Sequence, residues 1–254
     1  MQRRAFMYSL AAAAAARAGD VPARAAKVVP LFQSPDGHPN GMETTREGFW
    51  IGEQTTDRAH LMSFDGKLLR SVETESSNTS GIAYGGGFLW MAANGKAIGR
   101  AARPTDAASG EIVQADARTG RTIKRHPVPG GGGVHGLEFA ENTLWITSLR
   151  LQKLTQVDPE DFRILRQIPV HLSRAHGLAW DPPGIWCMHS NDRVIHKLDA
   201  RDGRLLERIT LAKDDPDPHG MCLHQGHLYY CDAGIAPQGV SNNSPRAGYV
   251  CRID

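Results

Sequence analysis

Residues 176–210 read HGLAWDPPGIWCMHSNDRVIHKLDARDGRLLERIT, and this stretch decides the fold. Four short runs alternate between apolar and polar positions: 176–180, 185–189, 194–198 and 205–210. The turns between them carry the usual breakers, Asp181-Pro182-Pro183-Gly184 and Asp199 to Gly203. A period of two, punctuated this way, specifies strands joined by tight connections. Four such strands in about 40 residues make one blade of a β-propeller.

The same grammar recurs along the chain: a residue followed by Gly and Leu, Ile or Met, a turn, an aromatic, then an apolar strand. The starts are Asn40-Gly41, Ser80-Gly81, His135-Gly136, His176-Gly177 and His219-Gly220, with aromatics at Trp50, Trp90, Trp145, Trp186 and Tyr229. Starts are separated by 40, 55, 41 and 43 residues, the long interval holding an insertion at 94–110. A repeat of this period marks a closed array of sheets. The fifth repeat stops after its third strand, at 249–252, while residues 27–32 (KVVPLF) match the fourth strands of other repeats. The expected fold is therefore all-β: a five-bladed propeller of four-stranded antiparallel blades, the last closed by the N-terminal strand. An aromatic in every blade is expected to pack between blades.

Composition agrees. With 41% hydrophobic and 22% charged residues the chain is an ordinary globular polymer, and 27 Gly and 15 Pro serve many turns. The first residues, Gln2-Arg3-Arg4-Ala5-Phe6-Met7 and an Ala-rich run to Ala16, resemble a twin-arginine export signal. Small-x-small cleavage sites follow at Ala16-Arg17-Ala18 and Ala23-Arg24-Ala25. Residues 1–25 are read as this signal and 26–254 as one propeller domain. The apolar run is shorter than the roughly 20 residues needed to span a bilayer. The expected location is periplasmic or secreted, in a bacterium, as a monomer without membrane insertion. Of the net charge of +2, residues 1–25 hold +3, leaving −1 for the remainder. That balance, with no basic stripe, gives nucleic acid nothing to bind. Cys187, Cys222, Cys231 and Cys251 lack CxxC spacing, so buried thiols and disulfides both remain open.

The residue before each repeat Gly lies where the innermost strand begins, so Asn40, Ser80, His135, His176 and His219 should ring one mouth of the axis. Thirteen positions later come Glu53, Ala93, Ser148, His189 and Asp232, expected opposite them in the hairpins. His38, Arg174 and Asp217 stand two residues upstream of ring positions. Three His in consecutive blades point to a divalent metal (Zn, Mn, Fe or Cu) on His135, His176 and His219, with Asp232 or Glu53 as a fourth ligand. Metal-free acid–base chemistry by His and Glu, or a His that merely bonds neighbouring backbone, would use the same pattern. Glu53 and His189 are then the candidate base and acid, Arg174 the partner of an anionic substrate, and His38, Asn40 and Ser80 substrate contacts. The remaining histidines, His60, His126, His171, His196, His224 and His227, read as surface or strand residues. Insertions 94–110 and 233–247 open on the same rim, as a lid or as plain surface loops.

The blade grammar, clearest from Asn191 through Asp199 to Gly203-Arg204, resembles the propeller group of streptogramin B lyases, glutamine cyclotransferases and YncE-like periplasmic proteins. The resemblance covers residues 27–254 and rests on scaffold positions. Streptogramin lyases, which use a His base and a divalent metal at the axis, imply similar chemistry, although they have seven blades. Glutamine cyclotransferases match in blade number, but their acidic substrate motif is absent. The expected function is an exported metal-dependent lyase or hydrolase acting on a small molecule. The alternative is a non-catalytic binding or scaffolding propeller.

Overall fold

The computed structural model describes residues 21–131, 133–148, 150–234 and 244–254. Every regular element among them is a β-strand. Blade one contains Pro39–Thr44, Phe49–Glu53, Arg58–Met62 and Leu68–Glu73, ordered from the axis outward. Blade two contains Thr79–Gly85, Phe88–Asn94, Gly110–Asp116 and Thr122–Pro127. Blade three contains Leu137–Ala140, Thr143–Ser148, Lys153–Val157 and Ile164–Pro169, and blade four Ala175–Asp181, Gly184–His189, Val194–Asp199 and Leu205–Thr210. Blade five has only Met221–His224, His227–Cys231 and Tyr249–Ile253 from its own repeat. Its outer strand is Val28–Gln33, antiparallel to Tyr249–Ile253, so the two ends of the chain share one sheet and the ring is closed.

Residues 23–25, grouped with the export segment by sequence, lie in the sheet. Ala23–Ala25 runs parallel to the outer strand of blade four, Ala23 opposite Arg208 and Ala25 opposite Thr210, which covers an open edge. A cut after Ala18 leaves this strand in place. Residues 1–20, which carry the export motif, lie outside the described residues.

Each seam between blades is filled by one apolar cluster, and each repeat aromatic lies in the seam with the following blade. Trp50 packs with Ile82 and Met91, Trp90 with Leu137 and Leu144, Trp145 with Leu178 and Cys187, and Trp186 with Met221 and Tyr230. Tyr229 packs on the cluster of Met42, Phe49 and Cys231 that joins blade five to blade one. The aromatics are inter-blade mortar, as their presence in every repeat implies. The four cysteines are free and buried, small apolar groups in these clusters.

The repeat glycines meet at the axis. A Cβ on Gly41 would lie 2.6 Å from the Gly81 carbonyl carbon, and one on Gly81 1.9 Å from the His135 carbonyl oxygen. On Gly136 it would meet the His176 oxygen at 1.9 Å, on Gly177 the Met221 nitrogen at 2.4 Å, and on Gly220 the Gly41 α-carbon at 2.6 Å. The contacts run once around the ring and close. Alanine at Gly81 should therefore cost about 3 kcal/mol or more, because backbone rather than a flexible side chain blocks it. Gly110→Ala, whose Cβ would find its nearest neighbour at 3.3 Å, should change stability by less than about 1 kcal/mol. Urea unfolding of the two variants measures the contrast.

Candidate active site

The innermost strands do not start in the register that sequence counting implies. Glu53 is opposite Pro39 rather than Asn40, Ala93 opposite Thr79 rather than Ser80, and His189 opposite Ala175 rather than His176, with a register shift at each residue-Gly step. In blades three and five the same step shows in the hydrogen bonds. The His135 N–H donates to the Thr147 carbonyl, and the Thr147 N–H to Gly136. The His219 N–H likewise donates to Cys231, and the Cys231 N–H to Gly220. A β-bulge explains this: two residues oppose one, which re-aims the extra side chain. The bulged residue turns toward the axis, while its supposed partner stays with the sheet.

The five ring residues are gathered there and all are buried. Asn40 Nδ2 donates to the Thr79 carbonyl at 3.5 Å, and Ser80 Oγ to the Val134 carbonyl at 2.5 Å, each reaching the residue before the next ring member. His135, His176 and His219 fill the rest of the circle. His176 meets His135 at 4.4 Å between ring centroids and His219 at 5.0 Å, edge to face at 83° and 85°. His219 Nδ1 lies 3.2 Å from the Asp217 carbonyl and 3.4 Å from the Ala233 backbone nitrogen, so it can donate to the first or accept from the second. Both nitrogens of His176, and Nδ1 of His135, are buried without a hydrogen-bond partner. His135 Nε2 is 3.5 Å from Asn94 Nδ2, an amide that sequence reasoning missed because it opens the long insertion.

Glu53 and His189 lie opposite Pro39 and Ala175 rather than behind this ring, whereas Asp232 is near enough to His219 for its charge to act on that imidazole. All three tie down the loops that lead into it. The Glu53 carboxylate accepts the His38 N–H at 2.8 Å. Asp232 accepts the N–H groups of Asp217 and Gly234 at 2.9 and 2.8 Å. His189 Nδ1 is 3.4 Å from the Ser173 carbonyl, and its ring packs 5.0 Å from His196 on blade four. His38 is half-buried at the seam of blades five and one, its Nδ1 3.1 Å from the Ala233 carbonyl. Arg174 is half-buried in the loop before His176 and donates from Nη1 to Asn191 Oδ1 at 3.2 Å.

Burial dominates the electrostatics. It pushes His135 down to about 3, with Arg174 next among the causes. His176 is held well below the ordinary imidazole range by burial, then by His135, His219 and Arg174. His219 is lowered by burial, against the opposing pull of Asp217 and Asp232. All three rings are neutral at pH 7, and the Arg174 charge bears on each. Burial raises the Glu53 carboxyl, against the hydrogen bond it accepts from the His38 N–H.

Below the glycine ring the axis carries two further acids that the sequence reading overlooked. Glu43 and Glu138, each two residues after a ring glycine, are almost wholly buried. Burial pushes Glu43 up to about 8 and Glu138 well above the carboxylate range, the latter helped by Glu43. The other blades place Ala83, Ala179 and Cys222 at this position, so the signal was a repeat column with two acids among small residues.

Insertion 94–110 is pinned to blades one and two. The Arg100 guanidinium pairs with buried Asp57 at 2.7 Å and Asp106 at 2.6 Å, and donates to the Ser76 carbonyl. Arg103 reaches the Thr74 carbonyl, and the Ala107 N–H donates to Ser77 Oγ. It forms an anchored wall beside the mouth. The insertion at 233–247 lies largely outside the described residues.

No protein-family model matches the chain, and no curated protein matches it. Among solved structures it is similar to Myxococcus xanthus glutaminyl cyclase, at 11% identity over 92% of this chain and 100% of that one, with a TM-score of 0.68. It is also similar to a catalytically inactive virginiamycin B lyase from Staphylococcus aureus with quinupristin. There the identity is 11% over 90% of this chain and 99% of that one, with a TM-score of 0.53. Identities this low establish the shared propeller architecture and nothing narrower.

The neutral ring makes acid destabilising. A His whose folded pKa lies below its unfolded value leaves the unfolded state with more bound protons, so stability falls as pH drops through about 6.5. His135→Asn should remove one such group. Between pH 6.5 and 4.5 the stability gap to wild type should shift in the variant's favour by up to ~1.4 kcal/mol per pH unit. Denaturant titrations at several pH values measure it.

Proposed function

We propose that this chain is an exported enzyme, a lyase or hydrolase that acts on a small molecule over the three-His end of the axis by acid–base chemistry. The observation that carries this is His176. Its ring is 0% exposed, yet neither nitrogen has a partner. Leaving a buried polar group unpaired costs about 1–3 kcal/mol. A residue there for packing would be better as Leu or Met, so the open nitrogens argue for a group that completes them. The nitrogens of His176 offer an acceptor and a donor on one imidazole, with His135 and His219 beside it to pass or receive a proton. Because the ring is fully covered, a substrate reaches it only once a neighbouring side chain moves aside. Asn40 and Ser80 complete the circle as hydrogen-bonding groups. Glu53, Asp232 and His189 contribute as positioning residues, through the loops that hold His38, Asp217 and Ser173.

A metal on His135, His176 and His219 has the right donor chemistry: neutral imidazoles with unpartnered nitrogens. The arrangement does not suit it. The rings meet edge to face, and among the described residues no three His, Cys, Asp or Glu side chains are placed to hold one ion. Both Asp232 oxygens already accept backbone N–H groups, and Arg174 adds a positive charge nearby. No step is assigned to a metal.

His176→Asn should lower turnover by at least about 100-fold, with circular dichroism and melting temperature close to wild type, in a panel of ester, amide, lactone and elimination substrates. Elemental mass spectrometry of the same two proteins should find well under one metal equivalent in both. One equivalent in wild type and none in the variant would replace this reading with the metal-dependent one. Ligand binding with no turnover across the panel would leave a binding propeller.

A further inference from the structure

We propose that the mouth of the axis is a carboxylate-binding site centred on Arg174, so that the substrate of the proposed reaction is a small organic anion. This rests on the reading of the mouth as a small-molecule site and names the chemistry of what enters it.

The first observation is where the charges of this rim are used. Asp232 accepts two backbone N–H groups and Glu53 one. Asp217 pairs with Arg193 at 3.0 Å, and Arg193 also donates to the carbonyls of Ala212, Asp215 and Pro216. Asp57 and Asp106 are taken by Arg100 and Arg103. Arg174 is the half-buried cation left over. Among the described residues no carboxylate lies within ion-pair distance of it, and its one hydrogen bond goes to the neutral amide of Asn191.

The second observation is its geometry. The bond to Asn191 engages Nη1 and leaves the edge formed by Nε and Nη2 without a partner among the described residues. That edge presents two parallel N–H donors, which a carboxylate accepts side by side. The residue is held at φ 48°, a left-handed conformation that a non-glycine side chain adopts at a cost of about 1–3 kcal/mol. The side chain leaves the chain from the loop that leads directly into His176.

The third observation is the floor. Within reach of the Arg174 charge lie the neutral imidazoles of His135 and His176, with their open nitrogens. Neutral imidazoles near a guanidinium that has no ion-pair partner among the described residues favour an anion over a cation. The glycine ring closes the axis beneath, so a ligand enters and leaves by the same mouth.

Binding of malonate, inorganic phosphate and sulfate, each against chloride at equal ionic strength, tests this by thermal shift and calorimetry on the full chain. Malonate should raise the wild-type melting temperature by several degrees and chloride should not. Arg174→Gln should lose the malonate shift while melting, without ligand, where wild type does. Arg174→Lys, which keeps charge but not the paired N–H edge, should weaken binding about tenfold or more. Arg118→Gln, an exposed residue in a turn of blade two, should bind as wild type. An unchanged shift in Arg174→Gln, or none with any anion in wild type, overturns the proposal. A phosphate or sulfate shift larger than that of malonate overturns the assignment to carboxylates. Because binding is read without turnover, malonate binding by the wild type with no turnover across the substrate panel would sink the enzymatic reading and leave this one standing.

Discussion

Five α-carbons at the axis, each in contact with the backbone of the next blade, are the constraint on which the remaining structure depends. With five blades the inner strands come closer than any side chain allows, and only glycine at positions 41, 81, 136, 177 and 220 lets them meet. The consequence is a floor. Whatever lies on one side of it, the His ring, is separated from what lies on the other, the Glu43–Glu138 pair. The bulge at each residue-Gly step follows from the same crowding. Gly brings the backbone inward, the residue before it becomes the unpaired extra, and its side chain is thrown over the floor rather than along the sheet. Ring and floor are two results of one local geometry.

That geometry explains why so many ionisable groups can be buried in a small domain. Each is either neutral or attached to backbone. The histidines at the mouth and the carboxyls beneath the floor discard their charge because burial disfavours it, whereas Asp232 accepts N–H groups and Asp57 both N–H groups and a guanidinium. The buried Arg100–Asp57–Asp106 network is costly to desolvate, and it is repaid in position: it fixes a long insertion as a wall of the mouth.

The blade count, the closing strand and the seam aromatics were legible in the sequence because each is a repeated feature, and repetition separates scaffold from accident. Three consecutive histidines were legible for the same reason. The partners assigned to them were not. Counting 13 residues from Asn40, Ser80 and His176 assumes an unbroken ladder, and a bulge shifts every pairing by one without leaving any residue type to reveal it. Glu53 and His189 were placed behind the ring by that count and turn out to hold loops. Glu43 and Glu138 are hidden in a repeat column two residues beyond each glycine, where the other blades carry Ala83, Ala179 and Cys222 and no repetition marks the acids. Arg174 stands two residues before a ring histidine in the sequence, but that no carboxylate among the described residues pairs with it depends on where Asp217 and Asp232 turn, which only the folded loops decide.

The depressed basicity of the ring, set mainly by burial and in smaller part by Arg174, bears on what the ring can do as a base. An imidazole whose pKa lies far below neutrality is a poor proton acceptor at neutral pH, since catalytic efficiency peaks when pKa and pH are close. Burial is the main cause, but the Arg174 charge contributes for all three rings. An anion bound to the guanidinium would offset that contribution and add an attraction of its own, both favouring the imidazolium. The larger contribution, burial, would remain, so the imidazoles gain basicity toward neutrality only where a substrate also supplies polar partners to their open nitrogens.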